Sequence, residues 1–138
     1  MIAFAPTIAR LKEGGFLHVE GLLEFVDLSE APRVSPALFV VPERESAAPN
    51  RMSGVVDQKV TEIFSVIVVV EAQRLAGKVS EELKRHTDAV VQQLVGWRHP
   101  EASGPCEYVG GRLLPPEGRR VAWAISFNTS RHIRKESQ

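Results

Sequence analysis

The sequence predicts an α+β domain: a mainly antiparallel β-sheet with an N-terminal helix and one long amphipathic helix packed on the sheet. Three stretches carry that expectation. Between Lys59 and Gln73, Val60, Phe64, Val66, Val68, Val70 and Ala72 fall on one face at period two, broken only by Glu62, as a long central strand requires. After Gly77, Val79, Leu83, His86, Val90 and Leu94 recur at helical spacing, with Glu81, Glu82, Lys84, Arg85, Asp88, Gln92 and Gln93 off the stripe. Cys106 to Leu114 and Arg119 to about Ile133 flank a Pro115-Pro116-Glu117-Gly118 turn and read as a closing hairpin. Strands on both sides of one long helix indicate α+β rather than an alternating parallel architecture.

The remaining elements follow in chain order. Phe4, Ile8 and Leu11 share a helical face, Pro6 suits a first turn, and Gly14 with Gly15 supplies a stop, so a short helix opens the chain. Residues Phe16 to Leu28 mix alternating and non-alternating apolar positions, and their class stays open. Pro36-Ala37-Leu38-Phe39-Val40-Val41-Pro42 reads as a strand ended on both sides by prolines, which cannot donate to a ladder. The polar run from Glu43 to Asp57 reads as a long surface loop, a length at which loops are often functional. Gly96 stands where a helix ending at Leu94 wants a left-handed residue, and Pro100 follows soon after. On the second hairpin arm Val121, Trp123, Ile125 and Phe127 share one face and Ala122, Ala124, Ser126 and Asn128 the other, which implies an antiparallel meander.

A chain of 138 residues is the size of one domain, taken here as residues 1–138, and buries enough surface to fold without disulfides or a structural metal. With 43% hydrophobic and 25% charged residues it is neither a disordered chain nor a coiled-coil rod. The 17 Lys and Arg against 17 Asp and Glu argue against nucleic-acid binding by bulk charge, and net neutrality favours self-association. Cys106 is the only cysteine, so thiolate zinc sites and internal disulfides cannot be built. The opening residues lack the basic-then-apolar pattern of a signal peptide, so export is not expected. Ile63 to Val70 is too short to span a membrane, and no membrane partner is expected.

Chemistry-bearing motifs are sparse. Gly110-Gly111-Arg112 runs into Leu-Leu-Pro-Pro and opens no helix, so it is no phosphate loop. His18, His86, His99 and His132 lack metal-ligand spacing except for His86 near Glu82, and His86 sits on the apolar stripe, where a buried, satisfied ring is the expectation. Cys106 could act as a nucleophile only if the fold brought His86 or His99 to it; a small apolar filler is the plainer role. Asn128-Thr129-Ser130 matches a glycosylation acceptor by chance in a chain not expected to be exported. No catalytic, metal or cofactor residues are therefore assigned. One asymmetry stands out: Arg112, Arg119, Arg120, Arg131, Arg134 and Lys135 face Glu117 alone between residues 112 and 135. A basic hairpin is either a solvated rim or a docking surface for an acidic partner or polyanion. Trp123 and Phe127, the only nearby aromatics, lie on the core face, so specific nucleic-acid recognition is not expected.

The succession of an opening helix, Pro36-Ala-Leu-Phe-Val-Val-Pro42, a Gln58 to Val70 strand, a helix closing in Leu94-Val95-Gly96-Trp97, then Pro105-Cys-Glu-Tyr-Val-Gly-Gly-Arg-Leu113 with Val121-Ala-Trp123 and Phe127 resembles the bacteriophage tail-terminator proteins. The resemblance covers nearly the whole chain and rests on order and spacing together. It implies a non-enzymatic assembly protein of a phage or prophage. Six copies would form a ring on the head-proximal end of the tail tube, assembled in the bacterial cytoplasm and resident in the virion tail. Such a ring stops tube polymerisation, offers a head-joining surface and lets DNA pass. The implied partners are further copies of itself, the tail tube protein and a head-completion or connector protein. Exposure and charge point to Glu43, Arg44, Arg51, Arg112, Arg119 and Arg120 as contact residues. The alternatives are another head-tail connector or minor tail protein of related fold, and a small enzyme using Cys106.

Overall fold

A computed structural model describes residues 1–27, 34–72 and 77–136. The chain runs α1 (Ala5–Glu13), β1 (Val19–Glu20), α2 (Leu22–Val26), β2 (Ala37–Ala47), β3 (Val55–Glu71), α3 (Val79–Leu94), β4 (Glu107–Leu113) and β5 (Arg120–Glu136). The strands form one sheet in the order β1-β2-β3-β5-β4, antiparallel throughout except for the parallel β1–β2 pair. The architecture is the expected α+β, with both expected helices on the sheet.

Period-two patterning in β3 sorts its side chains into two layers. Phe64, Val66, Val68 and Val70 join Leu38 and Val40 of β2 and Ile125 and Phe127 of β5 beneath Leu11 of α1 and Val90 and Leu94 of α3. Phe64 and Phe127 are direct cross-strand partners whose rings stack at 5.7 Å, the kind of pair that adds to area burial in a sheet. Each such fully buried side chain contributes about 1.5–3 kcal/mol relative to exposure. Ile67 and Val69 point the other way and pack with Phe39, Val41 and Ala124. That smaller layer is covered by α2 through Phe25, whose ring lies 5.4 Å from Phe39. The segment left open from Phe16 to Leu28 thus holds β1 and α2, with Leu28 outside the described residues, as is Gln73 at the expected end of β3.

The two long helices lock end to end. Gln93 donates from Nε2 to the Arg10 carbonyl (2.7 Å), and Arg10 donates from Nε to the Gln93 carbonyl (3.1 Å). Both carbonyls belong to final helical turns, and that of Arg10 also accepts the Gly14 N–H at 3.3 Å. Gly96 takes the expected positive φ of 83°, but its N–H bonds the Cys106 carbonyl rather than α3, so it turns the chain toward β4 instead of capping the helix.

Three expectations change. Pro42 does not end its strand: β2 continues to Ala47, with a register shift between Pro42 and Arg44. β1 pairs only with Leu38 and Phe39, so at Pro42 β2 is an edge strand, where a missing N–H costs nothing. The long loop accordingly shrinks to residues 48–54, because Glu43 is the bulge of β2 and Arg44 to Ala47 and Val55 to Asp57 are paired. Asn50 organises what remains, its Oδ1 accepting from the N–H groups of Met52 and Asp57 and its Nδ2 donating to the carbonyls of Met52 and Val55. Finally, the last three strands are not a meander. β5, with its buried face, takes the central place beside β3, and the short, exposed β4 goes to the edge.

Candidate functional site

β3 and β5 are each 17 residues long, and their outer halves leave both hydrophobic layers behind. Charge takes over there. Glu62, the one interruption of the apolar stripe, is 4% exposed and accepts from Arg131 Nε at 2.8 Å, with Glu45 also reached by Arg131 at 3.4 Å. On the opposite face Asp57 lies 2.7 Å from His132 Nδ1 and 3.5 Å from Arg134 Nε, and the His132 bond is the main reason its carboxyl is held below the ordinary carboxylate range. Arg120 pairs with Glu117 at 2.5 Å. Half of the basic residues seen in the sequence there, Arg120, Arg131 and Arg134, are therefore matched by acids in the fold.

The six expected contact residues spread along the sheet rather than gathering in one spot. Glu43 occupies the β2 bulge, where its Oε1 accepts from Ser65 Oγ and from Ser126 Oγ (2.7 Å). Ser65 and Ser126 face each other across β3 and β5, so two hydroxyls fix one carboxylate on the face away from α1 and α3. A serine amid the apolar run of β3 was the visible signal for this arrangement. Arg44 is exposed on the outer rim of β2, Arg51 in the Asn50-ordered loop, Arg112 on β4 and Arg119 in the hairpin turn; Arg120 is half-buried at the start of β5.

Among the described residues no side chain bonds the Cys106 thiol. The thiol is buried, and burial pushes its pKa up to about 11, opposite to what a nucleophile needs. His99 is spent elsewhere, with Nε2 2.6 Å from the Ala3 carbonyl and Nδ1 accepting the Glu101 N–H. His86 is buried on α3 as expected, its Nε2 3.2 Å from Glu82, and desolvation lowers its pKa. A cleft of about 490 Å³ beside it is lined by Gly14, His18, Ser35 and Arg85. Among the described residues no three His, Cys, Asp or Glu side chains gather as a metal site. What the surface offers instead is strand: among the described residues β4 presents one unpaired rim, and β2 beyond Phe39 presents another. Tyr108, Val109 and Leu113 on β4 are each half exposed.

A family model described as phage tail terminator protein matches residues 1–138, the whole length of the chain. The chain belongs to the phage tail terminator family. No curated protein matches it. Tail terminators are structural proteins, so the role of this one is structural and lies in the phage tail.

Proposed function

We propose that this chain caps the head-proximal end of the tail tube as a ring of six copies, ending tube polymerisation and presenting the surface to which the head joins. The family match over the entire length carries the reading. The fold supports it: a sheet with two unpaired rims suits a subunit completed by its neighbours, since exposed edges otherwise invite uncontrolled pairing. A net charge of zero removes the self-repulsion that would oppose such contacts.

The proposed contacts use Glu43, Arg44, Arg51, Arg112, Arg119 and Arg120, with the tube protein, a head-completion protein and further copies as partners. Reversing the charges of Arg119 and Arg120 together should block tail completion; completed tails at normal yield would remove those two from the contact set. The assembly role is non-catalytic, and the buried, high-pKa thiol of Cys106 supports that over an enzymatic reading.

The deciding experiment is electron microscopy of particles produced with this gene deleted, with tail lengths measured against the intact phage. Overlong tubes without heads are expected. Normal-length tails on filled heads would overturn the proposal.

A further inference from the structure

Two exposed apolar patches lie on opposite flanks of the sheet. The first belongs to α2 and its approach. Five residues are too few to hold a helix by themselves, and of this helix Phe25 packs into the smaller hydrophobic layer while no residue is fully buried. Leu22, Leu23 and Val26 stand open, Leu23 at 68%, and Leu17 just before β1 reaches 81%. Large apolar side chains gathered in this way within ten residues mark an interaction surface, where single surface leucines would not. The second patch lies on β4, at the other edge of the sheet from β1, where Tyr108, Val109 and Leu113 are each half exposed.

The charges around the two patches are opposite in sign. Residues 14–27 contain Glu20, Glu24 and Asp27 and no lysine or arginine. Around Leu113 the available charges are basic: Arg112 and Arg119 are exposed, while Glu117 is taken by Arg120 at 2.5 Å. The other charge on β4, Glu107, sits five residues away at its far end. Glu20, Asp27, Arg112 and Arg119 have no ion-pair or hydrogen-bond partner for their side chains among the described residues. Arg112 directly faces Ala124 and so projects on the side of the sheet that carries α2.

We infer that the α2 flank of one copy packs on the β4 flank of the next, Leu22 and Leu23 covering Val109 and Leu113, with the acids of residues 20–27 facing Arg112 and Arg119. The occupant is a second copy because the complement of each patch, apolar centre and opposite charge, is carried by the other flank of the same chain. A contact between unlike patches runs head to tail and closes into a ring when the rotation per copy allows. Side chains packed across such a seam need no strand pairing between copies, so each neighbour can tilt and stagger as the twist of the sheets demands. Exposed ion pairs are individually weak. Their value is selectivity: two α2 flanks repel each other, and so do two β4 flanks, which leaves only the unlike pairing. The inference rests on the ring reading above and adds which surfaces make the ring.

Cysteines placed in separate chains test it. With Leu23→Cys in one full-length chain and Leu113→Cys in another, no bridge can form within a chain, and buried Cys106 stays out of it. A short bismaleimide applied to the mixed chains, free and on tail ends from cells that make both, should join unlike chains at least tenfold more often than like ones. In parallel, Arg112→Glu with Arg119→Glu should lower multimer formation at least tenfold at an unchanged melting temperature. Adding Glu20→Lys and Asp27→Lys to the same chain should restore it.

Multimers seen by native mass whose bridges favour neither pairing, or whose yield ignores the charge changes, would overturn the inference and leave the ring reading standing. Leu23→Cys chains bridged mainly to each other would replace the head-to-tail contact with a two-fold one and overturn it too. Bridging of Leu23→Cys to the tube protein would give the α2 flank to the tube and overturn self-contact. Absence of multimers both in solution and on tail ends would overturn the inference and the ring reading together.

Discussion

Glu62 and Arg131 meet on the helix-facing side of the β3–β5 ribbon, Oε1 to Nε at 2.8 Å, with the carboxylate almost fully enclosed and the guanidinium at its edge. The Met1 amino group stands 3.6 Å from the same oxygen. Removing Arg131 leaves a buried charge short of its nearest partner, whereas replacing Glu62 with an apolar residue removes the charge and continues the stripe. Arg131→Ala should cost about 3 kcal/mol, and Glu62→Leu less than about 1 kcal/mol or nothing. Urea unfolding of the two variants checks this; equal losses would show that the pair itself, not the enclosed carboxylate, sets the cost.

Gly111 lies under the indole of Trp123, so that a Cβ there would stand 2.5 Å from Nε1. Gly111→Ala must displace the ring and should cost about 1–3 kcal/mol. Next to it, a Cβ on Gly110 would meet nothing within 4 Å, and Gly110→Ala should be close to neutral. Tryptophan fluorescence and denaturant midpoints of the two variants separate the cases; a neutral Gly111→Ala would show that the indole has room to move.

His86 makes stability depend on pH. Desolvation, helped by Arg85 and opposed by Glu82, holds its folded pKa below the ordinary 6.5. The unfolded chain therefore takes up the proton first, and stability falls as pH drops through 6.5, levelling once the folded histidine also protonates. The carboxyls of Glu45, Asp57 and Glu82 are held below their ordinary values of 4.5, 3.8 and 4.5, so their contribution is present above those values and is lost further down, as pH falls through the folded ones. Melting temperatures between pH 8 and 5 should decline in the native chain and decline less in His86→Leu; parallel curves would assign the slope elsewhere.

Asn50 ties the first half of residues 48–54 to the start of β3 through Val55 and Asp57. Asn50→Ala should loosen this turn with little effect on global unfolding, because the turn lies outside both hydrophobic layers. Trypsin cleavage after Arg51 reports it directly, and a several-fold faster cut at unchanged melting temperature is expected. Unchanged cleavage would place the order of the turn in its flanking strands.

Patterning made the two long helices and the central strand legible, because one face of each is buried and its period survives in the sequence. Edges were harder to read. Pro42 looked like a stop because a proline forbids a central ladder, and only the shortness of β1 makes it an edge position. Polar Glu43 to Ala47 and Val55 to Asp57 read as loop because both their faces are wet, which leaves no alternation to detect. The order of β4 and β5 depends on which strand has the better apolar face, a comparison that local spacing does not make. The contact residues were chosen by expected exposure and charge, and the fold neutralises one of them, Arg120, through Glu117.

The placing of β5 beside β3 also governs how the protein can be made. β3 is complete at Glu71, yet its central partner begins only at Arg120, after α3 and β4 have been synthesised. Until then the run from Phe64 to Val70 has β2 on one side and no strand on the other, an apolar edge of the kind that aggregates. Loop closure across that separation must precede the largest gain in contacts, which makes for slow folding. Co-translational protection of β3 is thus a condition for yield, and a nascent chain halted before residue 120 should be a substrate for chaperones in a way the finished subunit is not.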